Sequence, residues 1–194
     1  MRLRRHPESG ATMLEFAIAA PLVILLIVGL IEFGFGFIDL QTVASATTSG
    51  ARVGSAFGSG AGLGPGDPTA DEIIQDAVAD GLSDLRSSST VQELWVYKSN
   101  ASGDVVDETN TTNKYTPVFA GDGSVSGWIA VQEPWTPATR ATDLSLSLGT
   151  INRDYLGVRV IFKHEWVTGL LPLPAPTWTD DAIVLLEPVL EETS

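Results

Sequence analysis

The chain contains no cysteine among its 194 residues, which removes disulfides, thiolate metal sites and thiol nucleophiles together. Basic residues are scarce: 11 Lys and Arg stand against 24 Asp and Glu, for a net charge of −13. A surface of that sign repels phosphate backbones and argues against nucleic acid as a partner. Histidine is nearly absent. His6 lies close to the N-terminus and His164 sits beside Glu165 in an apolar run, so neither a zinc site nor a Ser-His-Asp triad suggests itself. No Gly-rich loop leads into Lys and then Ser or Thr to cradle a phosphate. The length suits one ordinary domain with an appendage.

What the chain does have is concentrated near its start. Residues 17–31 are fifteen in a row without a charge or an amide, bracketed by Glu15 and Glu32, and Ala11 to Ile38 makes 28 residues with only two charges. That is enough to span a hydrocarbon core of ~30 Å. The two carboxylates are 17 residues apart, or ~25 Å along a helix at ~1.5 Å per residue, which places one near each face of a bilayer. Pro21 falls early enough to kink such a helix without ending it. Arg2, Arg4 and Arg5 precede the run and no Lys or Arg follows before Arg52. Short basic flanks stay cytoplasmic, so the N-terminus is expected inside and the rest outside the cytoplasmic membrane. From Gly54 to Ser194 there are 20 acidic and 7 basic residues, so the exported part carries the acid and is expected to stand off anionic headgroups.

Three readings compete for this segment. A secretory signal has a basic start, and Ala44-Ser45-Ala46 offers a small-residue cleavage site, but the apolar stretch is too long for it. A plain anchor explains the length and leaves Glu15 without a purpose. An ionisable residue inside an apolar segment costs ~2.5–3.5 kcal/mol at the bilayer centre and less near an interface, so it is commonly paired or functional. The third reading is a segment that uses Glu15.

In register, residues 8–16 read Glu-Ser-Gly-Ala-Thr-Met-Leu-Glu-Phe and run directly into the apolar stretch. This resembles a class III, type IV pilin-like signal, in which a basic leader ends in Gly and a carboxylate follows five residues later. The resemblance extends to the TadE-like pilus-assembly proteins of tight-adherence (Flp pilus) systems, through Gly10-Ala11, Glu15-Phe16, Pro21-Leu22, residues 31–34 (Ile-Glu-Phe-Gly) and Ala44 to Arg52. It covers about the first 53 residues; a fainter likeness lies in Val158 to Trp166, Leu170 to Leu173 and Ala182 to Glu187. Phe16 stands where Tyr is often found, and residues 99–150 form a polar insertion without a counterpart. The resemblance implies that a prepilin peptidase cuts between Gly10 and Ala11, leaving residues 1–10 behind as the leader. It further implies that Glu15 of one subunit meets the new amino group of its neighbour, with Phe16 beside it. Partners would be that peptidase, other Tad/Flp pilins, inner-membrane platform proteins and membrane lipid. Glu32 is expected as an outer-interface carboxylate.

Beyond the membrane segment (11–38), residues 39–53 keep helical spacing in Leu40, Val43, Ala44, Thr47 and Ala51 and are expected as a stalk. A Gly- and Pro-rich stretch at 54–68 reads as a flexible linker. Thr69 and Glu72 form a capping-box pattern ahead of Ile73, Ile74, Ala77, Val78, Leu82 and Leu85, which predicts a helix whose Asp71, Glu72, Asp76, Asp80 and Asp84 face solvent. Strands are expected at Val91 to Tyr97, Tyr155 to Trp166 and Ala182 to Glu187, with shorter ones at Val118-Phe119 and Trp128 to Val131. The whole predicts a pilin-like α+β fold: a long N-terminal helix, then an acidic domain (69–194) with a helix packed on an antiparallel sheet and the five Trp in or around its core.

Residues 143–147 match an Asp-x-Ser-x-Ser metal motif, but no buried hydrophobic strand precedes it and only 47 residues follow. Asp104, Asp107 and Glu108 form an acidic loop suited at most to weak Ca²⁺ binding. No cofactor and no catalytic residue is expected. The resulting expectation is a minor pilin or pseudopilin, a non-enzymatic component of an adhesion or secretion machine. The alternative is a single-pass anchored binding protein that is never processed.

Overall fold

The computed structural model describes residues 8–60, 63–145, 150–171 and 173–187; Arg2, Arg4 and Arg5 of the leader, and Leu146 and Ser147 of the Asp-x-Ser-x-Ser motif, lie outside them. The chain begins with one unbroken helix, α1 (Glu8–Phe57), which carries Pro21 in its interior. Pro21 sits in the bare part of this helix. α1 runs four residues past the stop expected at Val53, because Gly54 is a packing residue and not the start of a linker. A Cβ on Gly54 would stand 2.8 Å from Leu156, and one on Gly58 would stand 2.7 Å from Leu186.

α1 has two halves of different character. From Gly10 to Ile31 its side chains are almost all exposed, and none of its most apolar stretch is covered by protein. From Glu32 onward one face is buried, at Glu32, Gly36, Asp39, Val43, Ala46, Thr47, Gly50 and Gly54. Those steps of three and four residues trace a single stripe along a helix.

Against that stripe lie a second helix and a sheet. Helix α2 (Ala70–Gly81) starts as the capping pattern requires: the Thr69 side chain accepts from the Glu72 N–H, and the Glu72 carboxylate accepts from the Thr69 N–H. Ile74, Val78 and the following Leu82 are buried against α1. The two helices come so close that a Cβ on Gly81 would lie 2.6 Å from the Ala46 Cα.

Five strands form the main sheet: β1 (Ser89–Ser99), β2 (Thr112–Phe119), β3 (Val125–Gln132), β6 (Tyr155–His164) and β7 (Thr177–Leu185). Their spatial order is β3-β2-β1-β6-β7, antiparallel throughout. The fold is α+β, a long apolar N-terminal helix followed by a helix and an antiparallel sheet. Strict alternation along β6 sends Leu156, Val158, Val160, Phe162 and His164 to the helix side. On β1 a register shift between Val91 and Glu93 separates buried Val91 from buried Leu94 and Val96.

The described part of the insertion at 99–150 holds more regular structure than its polar composition suggests. It supplies β2, β3, a short 3₁₀ turn (Pro137–Thr139) and β4 (Thr142–Ser145), which pairs with β5 (Thr150–Arg153) in a separate two-stranded ribbon. The tryptophans divide: Trp135 is buried, Trp128 and Trp178 pack on the core's edge, and Trp95 lies under Arg159 and Lys114.

Candidate functional site

Two chain directions define the two ends of the head. α1 enters the head at Glu32 and leaves it near Gly58, and β6 runs the opposite way, from Asp154 beside the far end of α1 to His164 beside the near end. Ser55 Oγ donates to the Leu185 carbonyl at the far end, 2.8 Å. The acidic loop also lies at that far end, where Ser99 bridges to Val105.

At the near end Glu32 is fully buried, although its neighbours in sequence read as membrane-exposed. The turn after β6 wraps it. Val167 N–H donates to Glu32 Oε2 at 2.8 Å, and the Thr168 N–H and hydroxyl both donate to Oε1 at 2.5 Å. Gly169 closes the turn with φ of +63°, a conformation that favours glycine. Glu32, expected as an outer-interface carboxylate, is thus held by hydrogen bonds within the protein.

Two turns further along, Asp39 meets His164 and Ser89. His164 Nδ1 lies 2.9 Å from Asp39 Oδ2 and 3.0 Å from Ser89 Oγ, and Ser89 Oγ donates to the same Asp39 oxygen at 2.8 Å. Asp39 and His164 are 0% exposed. This brings together a Ser-His-Asp trio that sequence reasoning did not anticipate. Its wiring differs from a catalytic triad: Ser and Asp share one ring nitrogen, while Nε2 has no hydrogen-bond partner among the described residues. The ring instead stacks on Trp178, centroids 5.2 Å apart, and abuts the edge of Trp166. The trio locks β1 and β6 to α1. Asp39 escaped notice because a carboxylate just past an apolar run looks like its solvated end.

Asp71 corrects a second expectation. It was assigned to the solvated face of α2 and is in fact buried. Its Oδ2 accepts from Asn113 Nδ2 at 2.7 Å and from the Tyr115 hydroxyl at 2.8 Å, and its Oδ1 pairs with Arg140 at 2.6 Å. Burial, and then the Asp71 charge, push the Tyr115 phenol far above its ordinary value. Arg140 also donates to the Gly58 and Trp135 carbonyls. The network fastens the 99–150 insertion to both helices.

The acidic loop does not converge. Asp104 holds Asn100, Asp107 accepts from Thr109 and Asn110, and Glu108 pairs with Lys114. Among the described residues, no three His, Asp or Glu side chains gather in a metal-sized group.

The residues singled out at the N-terminus lie together on the bare half of α1. Gly10, Ala11 and Glu15 are exposed there, Phe16 is 72% exposed, and none of the described residues covers them. A Cβ on Gly10 would meet open space, so no packing among the described residues explains a glycine there.

The family model described as TadE-like protein matches residues 10–52. No curated protein and no solved structure matches the chain. The match suggests involvement in Tad pilus assembly, and the one long apolar helix among the described residues is compatible with a single-pass membrane anchor in such a system. The similarity to TadE-like proteins thus lies in residues 10–52, which contain the bare half of α1, Glu32 and Asp39.

Proposed function

We propose that the protein is a pseudopilin-like subunit of a Tad pilus assembly machine, cut between Gly10 and Ala11 and assembled through its N-terminal helix. The observation that carries this reading is the uncovered helix from Gly10 to Ile31, inside the TadE-like match and with one carboxylate, Glu15, in its first turns. A carboxylate on a bare apolar rod is costly alone and attracts a cation from a neighbour. The amino group that cleavage would free at Ala11 is such a cation, and its pairing with Glu15 of the next subunit would set helix register. Phe16 would lie against the neighbouring rod. The head would then be displayed outside the cytoplasmic membrane, and its role would be structural, not enzymatic. The partners in this reading are a prepilin peptidase, other Tad pilins and the membrane platform.

The test is the intact mass of protein purified from membranes with and without the peptidase. Loss of residues 1–10 only when the peptidase is present supports the reading, as does a block of cleavage by Gly10→Phe. A chain that keeps Arg2, Arg4 and Arg5 under both conditions overturns it in favour of an unprocessed anchor. With processing intact, Glu15→Val is expected to abolish incorporation into assemblies while leaving the head folded.

A further inference from the structure

The loop between β6 and β7 is unlike the rest of the head. From Trp166 to Thr179 the sequence has no Asp, Glu, Lys or Arg, in a chain whose head is strongly acidic. Val167, Leu170 and Leu173 are 51%, 62% and 51% exposed. Exposed leucines on one short loop form the kind of apolar patch that soluble surfaces avoid. The loop is nevertheless ordered by its own bonds. Trp166 Nε1 donates to the Leu173 and Pro174 carbonyls, and the Val167-Thr168 turn is clasped on Glu32.

Its position matters most. The Trp166 ring packs in a T-shaped contact with Phe33, centroids 5.7 Å apart, so the loop lies against one side of α1 where the bare helix ends. The bare stretch from Gly10 to Ile31 is 22 residues, ~33 Å at ~1.5 Å per residue, close to the ~30 Å of a hydrocarbon core. If that stretch spans the bilayer, the collar stands at its outer surface. Phe33 and Phe37, both more than half exposed, continue the apolar surface beside it. Arg86, stacked 4.3 Å over the Phe35 ring, puts a cation at the same level, where long basic side chains favour headgroups.

We propose that the Trp166–Pro176 loop is a membrane-docking collar, whose Val167, Leu170 and Leu173 enter the outer leaflet around α1 and fix the head's tilt on the bilayer. Glu32 is its positioning residue: buried by the turn, it presents the loop's apolar side chains to lipid. Trp166 supplies an aromatic ring of the kind enriched at that depth. The acidic loop at Asp104 to Glu108 lies at the opposite end of the head, and Glu165, the carboxylate next to the collar, is paired with Lys163 at 2.9 Å.

This inference rests on the reading that α1 spans a bilayer, and the experiment separates the two. The chain has no cysteine, so L170C, L22C and S102C each accept one environment-sensitive fluorophore in the full-length protein reconstituted into phosphatidylcholine vesicles. Lipids carrying a nitroxide high on the acyl chain should quench the probe at 170 at least about twofold more than the probe at 102, as expected for groups ~5–10 Å into the interface. A nitroxide near the chain end should quench the probe at 22. Quenching at 22 with a water-exposed probe at 170 overturns the collar alone. No quenching at 22 overturns the spanning helix. A blue-shifted but unquenched probe at 170 means that protein covers the loop, and also overturns the collar. Glu32→Ala, in a chain whose near-ultraviolet dichroism shows the head folded, should lower quenching at 170 towards the level at 102.

Discussion

Arg140 gives the sharpest energetic test of the fold. Its side chain is 0% exposed and reaches Asp71 Oδ1 at 2.6 Å, the Gly58 carbonyl at 2.6 Å and the Trp135 carbonyl at 3.1 Å. Arg140→Ala strips all three acceptors and leaves the Asp71 carboxylate buried without its cation. Breaking a buried pair from one side costs about 3–5 kcal/mol. Asn113 and Tyr115 still donate to Asp71, which puts the expected loss near the lower bound, about 3 kcal/mol. That is a large share of a total stability of about 5–15 kcal/mol. The double variant Asp71→Asn with Arg140→Met removes both charges and keeps an acceptor oxygen for Asn113 and Tyr115. Its loss should stay under about 1.5 kcal/mol, less than the sum of the single variants. Urea unfolding of the full chain in detergent, followed by near-ultraviolet dichroism, measures both. An Arg140→Ala variant within about 0.5 kcal/mol of the parent, or a double variant as costly as the summed singles, would refute the assignment.

Three further outcomes are expected. Gly81→Val should drive α2 away from the Ala46 backbone and cost about 1–3 kcal/mol, and an unchanged thermal midpoint would show that the helices are not in such close contact. Thr69→Ala should remove one side of the capping box and cost about 1 kcal/mol in the same unfolding assay; a silent substitution would deny the cap its role. The Asp107 carboxyl is held below its ordinary 3.8, first by the Asn110 side chain and then by the Asn110 and Thr109 N–H groups. A folded-state value below the unfolded one means this contribution is complete above pH 3.8 and is lost as the pH falls through the lower value. The protection of the Thr109 and Asn110 amides, taken relative to their intrinsic exchange rate at each pH, should therefore fall only in that acidic window, and protection that is flat across it would exclude the mechanism.

What the sequence showed and what it concealed divide along physical lines. Local signals were legible: the Thr69 and Glu72 cap sits three residues apart in one chain segment, and the alternation of Leu156, Val158, Val160 and Phe162 declares a half-buried strand. The apolar run between Glu15 and Glu32 declared a spanning length. Contacts across long sequence separations were hidden. Asp71 reads as one more acid on an acidic helix until Arg140, 69 residues later, is seen beside it. Asp39 and His164 are 125 residues apart, and neither carries a local pattern. The glycines at 54 and 58 looked like a linker because composition does not reveal whether a missing Cβ serves freedom or close approach. Here it serves approach, to Leu156 and Leu186. The motif from Gly10 to Phe16 is linear and can be read along the chain, whereas the residues that the fold brings to Glu32 cannot.

The continuity of α1 has a mechanical consequence. The rod that emerges bare at one end is the same rod around which the head is built, with no break or hinge between Glu8 and Phe57. Traction applied to the N-terminal end would pass straight into the head's interior and not into a slack tether. The Glu32 clasp and the Asp39–His164 contact are the first attachments to bear that load, and they lie side by side near one end of the rod. They would be loaded in shear along the helix axis, together with the Thr47 hydroxyl bonded to Asp180 further up. A head mounted in this way turns and travels with its rod, so a push or rotation of the helix by a motor in the membrane would be delivered as a rigid displacement of the displayed surface.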